Sequence, residues 1–241
     1  MTTTTSVQEY IALQPKLARR RSIMRSIIRF ILFNILTKVE LRGLDNVIDD
    51  EPAILMMNHI SLLDPILCMA AVTNRFVIPM SKAENLRNPL LAPFIRWWGS
   101  YVVNRGEVDR KALVNSIELL KSGQLILIAP EGTRQKDGLA QPKDGLAYVA
   151  TKADAVIIPA AISGAMDWLD QIKRLRRPRI TVTFGRPFRF KLNGARVPRE
   201  ALSAMTEEAM YQLALALPDE SLRGIYRDVS QATTEHLEFV K

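Results

Sequence analysis

Six short apolar runs divide the chain, and stretches with helical spacing separate them. Each run is four to six residues long, which suits a buried strand better than a helix. The runs lie near residues 53–57, 76–79, 100–103, 125–129, 155–160 and 179–184. Strands that alternate with helices favour a parallel or mixed sheet covered on both faces. The sequence therefore predicts an α/β fold with a mixed, largely parallel sheet flanked by helices.

Two of the helices are visible from their spacing and from the residues that stop them. Residues 111–123 show helical spacing and end in glycine, and residues 199–216 look amphipathic and are followed by a proline. A chain of 241 residues with 48% apolar content can bury the core of one sizeable domain. No internal repeat or low-complexity linker divides it. We expect a basic arm over residues 1–40 and a single catalytic domain over residues 41–241.

The arm combines a polar tail with a basic helix. Residues 1–10 lack the basic start and apolar core of a secretory signal, and residues 16–38 hold seven basic and no acidic side chains. Polar residues recur there at spacings of three and four, namely Ser22, Arg25, Ser26 and Arg29. The pattern predicts an amphipathic helix too short and too charged to span a bilayer. We expect it to lie in the interface of an anionic membrane, with its arginines toward the headgroups.

The net charge of +8 extends this expectation to other parts of the chain. Residues 173–191 hold eight basic and no acidic side chains, and Trp97 and Trp98 are of a type favoured at membrane interfaces. Ordinary packing explains the tryptophans equally well. The localisation that follows is peripheral or monotopic, on the cytoplasmic face of a membrane. The same charge would also suit a protein that binds nucleic acid.

The segment after the first apolar run carries the strongest catalytic signal. His59 is one of two histidines in the chain, and Asp64 follows five residues later. An imidazole can accept a proton near neutral pH, and a nearby carboxylate can fix its tautomer and stabilise the imidazolium. The pair therefore suits activation of a hydroxyl group. Asp64 also suits a helix start, as N-cap with Pro65 at the first helical position.

A second candidate segment, PEGTR, follows the apolar run at 125–129. Gly132 permits a tight turn, and Arg134 offers a planar charged group suited to a phosphate or carboxylate. A phosphorylated substrate is the natural expectation. The alternative is a surface ion pair between Glu131 and Arg134, which is common and contributes little.

Four blocks of the chain, taken in order, resemble the glycerolipid acyltransferases that act on 1-acylglycerol-3-phosphate. The first is Asn-His, four residues and Asp, at Asn58, His59 and Asp64. By resemblance His59 is the general base, Asp64 orients it, and Asn58 belongs to the substrate site. The second runs from Gly99 to Arg105. It implies that Arg105 binds the phosphate of the acceptor.

The other two blocks match the family at the fourth and fifth apolar runs. The third covers Glu131, Gly132, Thr133 and Arg134, which the resemblance assigns to substrate binding. Ala129 and Gln135 stand where the family often has phenylalanine and serine, and neither change touches a charged position. The fourth is an isoleucine-proline strand that ends in glycine. Its residues are Ile158, Pro159 and Gly164, which the resemblance places in the wall of the acyl pocket.

The implied reaction moves a fatty acyl group from a thioester, acyl-CoA or acyl carrier protein, to the sn-2 hydroxyl of 1-acylglycerol-3-phosphate and gives phosphatidate. A thiol with a pKa of roughly 8.5 leaves readily, so no covalent nucleophile is required. Backbone N–H groups near the start of the helix after Asp64, or in the EGTR turn, could stabilise the oxyanion. We expect no metal and no cofactor beyond the donor. The expected partners are an anionic membrane surface, a lysophospholipid and the thioester, and not nucleic acid.

Three other reactive side chains fit the sequence less well as catalysts. Cys68 lies in an apolar helix-like run and is expected in the core. Ser61 lacks the G-x-S-x-G surroundings of a hydrolase nucleophile. His236, in the acidic C-terminal tail, is expected to be a solvated surface residue. Two functions compete with the one above, a family member that acts on another lysolipid and, more distantly, a basic nucleic-acid-binding protein.

Overall fold

A mixed sheet forms the centre of the molecule, seen in a computed structural model that describes residues 6–89, 91–103, 110–143, 145–192 and 197–240. Within those residues the sheet has nine strands. They are β1 (Lys38–Arg42), β2 (Ala53–Met57), β3 (Val77–Lys82), β4 (Tyr101–Val103), β5 (Leu125–Ile128), β6 (Val156–Ser163), β7 (Arg179–Phe184), β8 (Phe188–Phe190) and β9 (Leu237–Phe239).

The strand order is β1-β7-β6-β2-β5-β3-β4, with β8 beside β6 and β9 beside β8. The strands β6, β2, β5, β3 and β4 run parallel to one another, whereas β7 and β8 are antiparallel to β6. The predicted fold class, mixed and largely parallel, is confirmed. The six predicted strands agree with the observed ones to within three residues at either end. The strands β1, β8 and β9 were missed, the last two because three residues show no periodicity.

Helices cover both faces of this sheet. They are α1 (Val7–Arg29), α2 (Asp64–Ala71), α3 (Leu91–Trp98), α4 (Arg110–Lys121), α5 (Gly145–Ala153), α6 (Trp168–Lys173) and α7 (Arg199–Ala216). The connections β2-α2-β3 and β5-α5-β6 cross the sheet in opposite directions. Because such crossovers are right-handed, α2 and α5 lie on opposite faces. The helix α1 packs against α2 and α3, and α7 packs against α5.

Burial is greatest at the middle of the sheet, and it sets the position of the candidate residues. Every residue of β2 and of β6 is buried, which explains why both strands read as continuous apolar runs. Since β2, β5 and β6 are parallel neighbours, their carboxyl ends meet at one edge of the sheet. The segments that follow these three ends are those of Asn58, Glu131 and Gly164. Ligands of open α/β sheets bind at such an edge.

The orientation of α1 differs from the one expected from its polar stripe. Arg25 donates to the carbonyl of Val72 at 3.0 Å, and Arg29 donates to that of Ala70 at 2.6 Å. These carbonyls lie at the carboxyl end of α2, where a helix leaves such groups without partners. The prediction that the arginines of this stripe face lipid headgroups is therefore wrong for Arg25 and Arg29.

The exposed side of α1 carries large apolar side chains along its second half, together with Ser22 and Ser26, and the π-helical segment Phe30–Leu36 continues it. The large side chains exposed there are Ile23, Ile27, Phe30, Ile31 and Ile35. None of the helices in the described part of the chain is long and apolar enough to cross a membrane. The chain passes from the π-helical segment into β1 at Lys38, and the division at residue 40 stays a prediction.

The two tryptophans of α3 have different environments. Trp98 is fully buried, and its indole N–H donates to the carbonyl of Val77 at 2.9 Å. The backbone carbonyl of Trp98 accepts from the buried guanidinium of Arg21 at 2.7 Å. Trp97 is exposed. Packing therefore accounts for Trp98, and only Trp97 is available for an interface.

Candidate active site

Asn58 extends the pairing of β2 with β6 beyond the last backbone register pair. Its amide N–H donates to the carbonyl of Ile162 at 2.9 Å, and its amide oxygen accepts from the N–H of the same residue at 2.7 Å. Only 2% of Asn58 is exposed. The sequence prediction placed Asn58 in the substrate site, but the amide is occupied within the protein. We assign it the task of fixing the backbone that leads into His59.

His59 and Asp64 form a hydrogen-bonded pair. The imidazole Nδ1 lies 3.0 Å from Oδ2 of Asp64. The His59 side chain is 20% exposed, whereas that of Asp64 is completely buried. A carboxylate at Nδ1 holds the proton on that nitrogen and leaves Nε2 with a lone pair. This geometry can supply a general base at the edge of the sheet.

The Asp64 carboxylate is held by the turn that it follows. Its Oδ2 also accepts from the N–H groups of Ile60 at 2.7 Å and Ser61 at 2.6 Å. Asp64 is the first residue of α2, and its carboxylate bonds backwards rather than to the first turn of the helix, so the predicted N-cap is wrong. Burial raises the pKa of Asp64, and the contacts with His59, Ser61 and Ile60 oppose that rise. The other oxygen, Oδ1, has no hydrogen-bond partner among the described residues.

The loop after β5 holds the backbone of His59 from both sides. Oε2 of Glu131 accepts from the N–H of His59 at 3.4 Å, and the N–H of Gln135 donates to the carbonyl of His59 at 2.7 Å. Gln135, noted in the sequence only as a departure from serine, uses its backbone for this contact. Side-chain identity at position 135 therefore gave no signal of it.

Glu131 is buried and forms no ion pair with Arg134 among the described residues, so the surface ion-pair alternative is wrong. Its second oxygen, Oε1, accepts from the N–H of Ala140 at 2.9 Å. Burial raises the pKa of Glu131, while the N–H groups of Ala140 and His59 lower it. The carboxylate thus joins the two ends of its own loop to the segment that carries His59.

The rest of the EGTR turn faces solvent. Gly132 has a φ of 72°, as a tight turn requires, and Thr133 and Arg134 are exposed. The end of the Lys143 side chain lies over this turn, with Nζ 3.2 Å from the position that a Cβ on Gly132 would take. Lys143 is a second cation at this turn that sequence reasoning missed. Arg105, the predicted phosphate ligand of the second block, lies outside the described residues.

The fourth block lies on the strand beside β2. Ile158 and Pro159 are buried within β6, and Gly164 is exposed just after its end. The carbonyl of Pro159 accepts from the N–H of Gly185 at 2.8 Å. Their part in an acyl pocket stays a prediction.

The segment after α7 supports the catalytic loop. The N–H of Leu139 donates to the carbonyl of Leu222 at 2.9 Å, and the N–H of Ile225 donates back to Leu139 at 3.1 Å. Between them Gly138 and Gly224 meet so closely that a Cβ on Gly224 would lie 2.1 Å from the carbonyl oxygen of Leu139. Leu139 is adjacent to Ala140, whose N–H binds Glu131. The C-terminal segment is therefore linked to His59 in two steps. It contacts Leu139, and the neighbouring Ala140 binds the Glu131 carboxylate that accepts from the N–H of His59.

The remaining candidates of the sequence also have defined positions. Cys68 is fully buried, and burial raises the pKa of its thiol. Ser61 is buried, and its hydroxyl oxygen accepts from the N–H of Leu63 at 3.1 Å. His236 is partly buried, with Nδ1 3.2 Å from Oε1 of buried Glu208, so its prediction as a freely solvated residue is wrong.

Known proteins resemble this chain in sequence and in fold. Residues 38–163 match the family model described as Acyltransferase. The chain is 30% identical over 143 residues to a 1-acyl-sn-glycerol-3-phosphate acyltransferase of Borreliella burgdorferi, covering 58% of this chain and 57% of that protein. It is 25% identical over 170 residues to the Bacillus subtilis protein of the same name, covering 70% and 83%.

A solved structure is similar over most of the chain. The 1-acyl-sn-glycerophosphate acyltransferase PlsC of Thermotoga maritima has a TM-score of 0.54 and 26% identity, covering 80% of this chain and 76% of that one. The two proteins share a mixed α/β fold with a central sheet flanked by helices. The chain belongs to the acyltransferase family, whose model spans more than half of it. The chain spans 57% of the Borreliella relative and 61% of one from Streptococcus pneumoniae.

Replacing Asp64 with asparagine should separate activity from stability. We expect Asp64→Asn to lower kcat by about 10² to 10⁴-fold, because the amide no longer fixes the Nδ1–H tautomer of His59. The variant should be at least as stable as the wild type at pH 7, since a buried ionised carboxylate is costly. Turnover and urea unfolding measure the two effects.

The pH dependence of the unfolding free energy tests whether folding raises the pKa of Asp64. Burial raises the folded-state pKa of Asp64 above its unfolded value of about 3.9, so the folded chain binds the proton more tightly. This contribution to wild-type stability is complete below the unfolded pKa and is lost as pH rises through the folded pKa. The stability advantage of Asp64→Asn should therefore shrink on acidification. If the stability advantage of Asp64→Asn instead grows toward low pH, the pKa of Asp64 is not raised in the folded protein.

Replacing Gly224 with alanine should test the support of the catalytic loop. Gly224→Ala places a Cβ against the carbonyl of Leu139 and should lower kcat by roughly tenfold or more. The matched control is Gly123→Ala, since Gly123 also has a positive φ but no atom within 4 Å of the added Cβ. Both changes place a side chain at a positive φ, which costs about 1 kcal/mol, and Gly224→Ala should lose further stability through its backbone clash. Equal kcat values in the two variants would show that the contact with Leu139 does not position the site.

Proposed function

We propose that this protein transfers a fatty acyl group from an acyl thioester to the sn-2 hydroxyl of 1-acylglycerol-3-phosphate and forms phosphatidate. The observation that carries the proposal is the His59–Asp64 pair at the sheet edge, beside a turn with an exposed arginine. The names of the relatives from Borreliella burgdorferi and Bacillus subtilis support the same reaction.

The dyad supports a direct transfer. With its proton held on Nδ1 by Asp64, His59 takes the proton of the acceptor hydroxyl on Nε2 as the oxygen attacks the thioester carbonyl carbon. The tetrahedral intermediate then collapses, the carbon–sulfur bond breaks, and the thiolate takes the proton from Nε2. Because the thiol is a good leaving group, no acyl-enzyme is needed. Cys68 and Ser61 are both buried, which supports a mechanism that uses neither as a nucleophile.

The sequence predicts two places for oxyanion stabilisation, the start of the helix after Asp64 and the EGTR turn. The N–H groups of Ile60 and Ser61, before α2, are taken by the Asp64 carboxylate. The N–H of Gly132 donates to the carbonyl of Ala129 at 3.0 Å. We assign oxyanion stabilisation to the backbone of Thr133 and Arg134 in the exposed half of the turn.

The acceptor phosphate requires cations near the same edge. Arg134 is exposed and forms no ion pair with any described residue, and the ammonium of Lys143 lies over the adjacent glycine. A guanidinium binds phosphate through two parallel hydrogen bonds, and a lysine adds a point charge. Arg134 and Lys143 would bind the phosphomonoester, and Arg105 is proposed as a third ligand by resemblance. The buried Glu131 acts by holding the loop.

The acceptor is a lipid, so the site must work at a membrane surface. The exposed isoleucines and Phe30 of α1 and its π-helical continuation form a face suited to the headgroup–acyl boundary of one leaflet. We propose peripheral or monotopic attachment to the cytoplasmic face through this apolar surface. This surface faces away from the contacts of Arg25 and Arg29 with α2, so these two arginines do not form it. The donor is proposed to be acyl-CoA or acyl carrier protein, with no further cofactor.

The decisive assay supplies purified protein with vesicles that contain lysophosphatidate, together with acyl-CoA or acylated carrier protein. We expect phosphatidate from the wild type and a loss of at least about 10³-fold in His59→Ala, which removes the base. Glu200→Ala, at an exposed position in the first turn of α7, serves as a control and should keep wild-type turnover. Product is measured by mass spectrometry.

The choice of acceptor tests the phosphate contacts separately. Lysophosphatidate should react faster than uncharged or zwitterionic lysolipids, and Arg134→Gln should raise its KM by about tenfold or more. Equal rates on all acceptors would mean that Arg134 does not recognise the phosphomonoester, and a faster rate on another lysolipid would favour a family member specific for that acceptor. Wild-type turnover in His59→Ala would end the proposed mechanism.

A further inference from the structure

An unusual leucine ends α6. The N–H of Leu175 donates to the carbonyl of Ile172 at 2.9 Å, and the N–H of Arg176 donates to that of Gln171 at 2.9 Å. These two bonds form a Schellman motif in which Leu175 takes the left-handed position, with a φ of 55°. Glycine usually occupies this position because a Cβ is strained there. Leucine at such a site therefore has a conformational cost.

Packing within the chain does not compensate for this cost. Leu175 is 96% exposed, more than any other large apolar residue of the described structure. The residues around it are basic and exposed: Lys173, Arg174, Arg176 and Arg177. An apolar tip surrounded by cations complements a surface that is anionic outside and apolar beneath.

The position of the leucine relates it to the active site. The strand β6 ends at Ser163 and the antiparallel strand β7 begins at Arg179, so the α6 segment between them lies at the edge of the sheet that carries His59. Arg177 donates to the carbonyl of Thr37 at 2.6 Å, just after the π-helical segment. The exposed leucine is thereby fastened beside the end of the apolar face of α1.

We propose that Leu175 and its flanking arginines form a second membrane contact, in which the leucine enters an anionic bilayer and Arg174 and Arg176 bind lipid headgroups. Together with the apolar face of α1, it would turn the His59 edge toward the interface where the acceptor lies. The proposal rests on the proposed function for the identity of that acceptor. The occupant of this surface is a lipid bilayer, for which the charge pattern and the exposed leucine are complementary.

Leu175→Asn tests the contact without endangering the fold, because asparagine tolerates a positive φ better than leucine does. Its unfolding temperature should equal or exceed that of the wild type. Partitioning onto phosphatidylcholine vesicles that contain phosphatidylglycerol should fall by about tenfold, which corresponds to 1.4 kcal/mol and is within the range for burying a leucine. The matched control is Leu215→Asn, an equally drastic change at an exposed position on α7.

The arginines are tested by the charge of the vesicles. Arg174→Gln combined with Arg176→Gln should weaken binding to vesicles with phosphatidylglycerol and leave binding to pure phosphatidylcholine unchanged. The proposal would be overturned if Leu175→Asn partitions onto these vesicles as strongly as the wild type. It would also be overturned if Leu215→Asn loses as much binding as Leu175→Asn.

A water-soluble acceptor separates docking from catalysis. On a short-chain lysophosphatidate below its micelle concentration, Leu175→Asn should turn over at the wild-type rate, while on vesicles it should be several-fold slower. Equal losses on both acceptors would place Leu175 in the reaction site and overturn the docking role. If the wild type turns over neither the short-chain acceptor nor the acceptor in vesicles, the proposed function is refuted instead. The partitioning result would still decide the membrane contact.

Discussion

The site depends on one buried carboxylate. Asp64 has no exposed side-chain surface, yet one of its oxygens accepts from the N–H groups of Ile60 and Ser61 and contacts the imidazole of His59. This arrangement fixes the turn and the ring together, so that the base cannot change tautomer without disturbing the backbone beside it. The raised pKa of Asp64 records the cost of burying that charge. The protein accepts lower stability at this position in exchange for an ordered base, as is common at functional sites.

Three parts of the chain that are distant in sequence converge on the same short segment. Asn58 joins the end of β2 to Ile162, Glu131 and Gln135 hold the peptide of His59, and the turn at Gly224 supports the loop that carries Glu131. Residue 224 lies beyond the part that matches the family model, which ends at residue 163. The C-terminal segment of this chain therefore contributes to the order of the candidate site, although the proposed pair of His59 and Asp64 lies far before it in the sequence.

Sequence patterns predicted what depends on local spacing. The buried run of β2 followed by His59 and Asp64 was readable because strand, turn and helix follow one another within a few residues. The side of α1 that faces the protein could not be predicted. Periodicity shows that Arg25 and Arg29 share one side of the helix, but it does not show which part of the chain packs against that side. Their partners are carbonyls more than forty residues away, at the end of α2. The contacts of Asn58 and Glu131 are equally remote, and the strained Leu175 becomes visible only through its backbone angle.

The protonation of His59 gives the most direct test of the central claim. Nitrogen-15 NMR of the neutral imidazole distinguishes a protonated Nδ1 from a protonated Nε2, and His236→Gln removes the signal of the other histidine. The structure predicts that Nδ1 carries the proton, held by Asp64, and that Nε2 is bare. A neutral ring protonated on Nε2 would contradict the account, because the nitrogen that must accept the hydroxyl proton would already hold one.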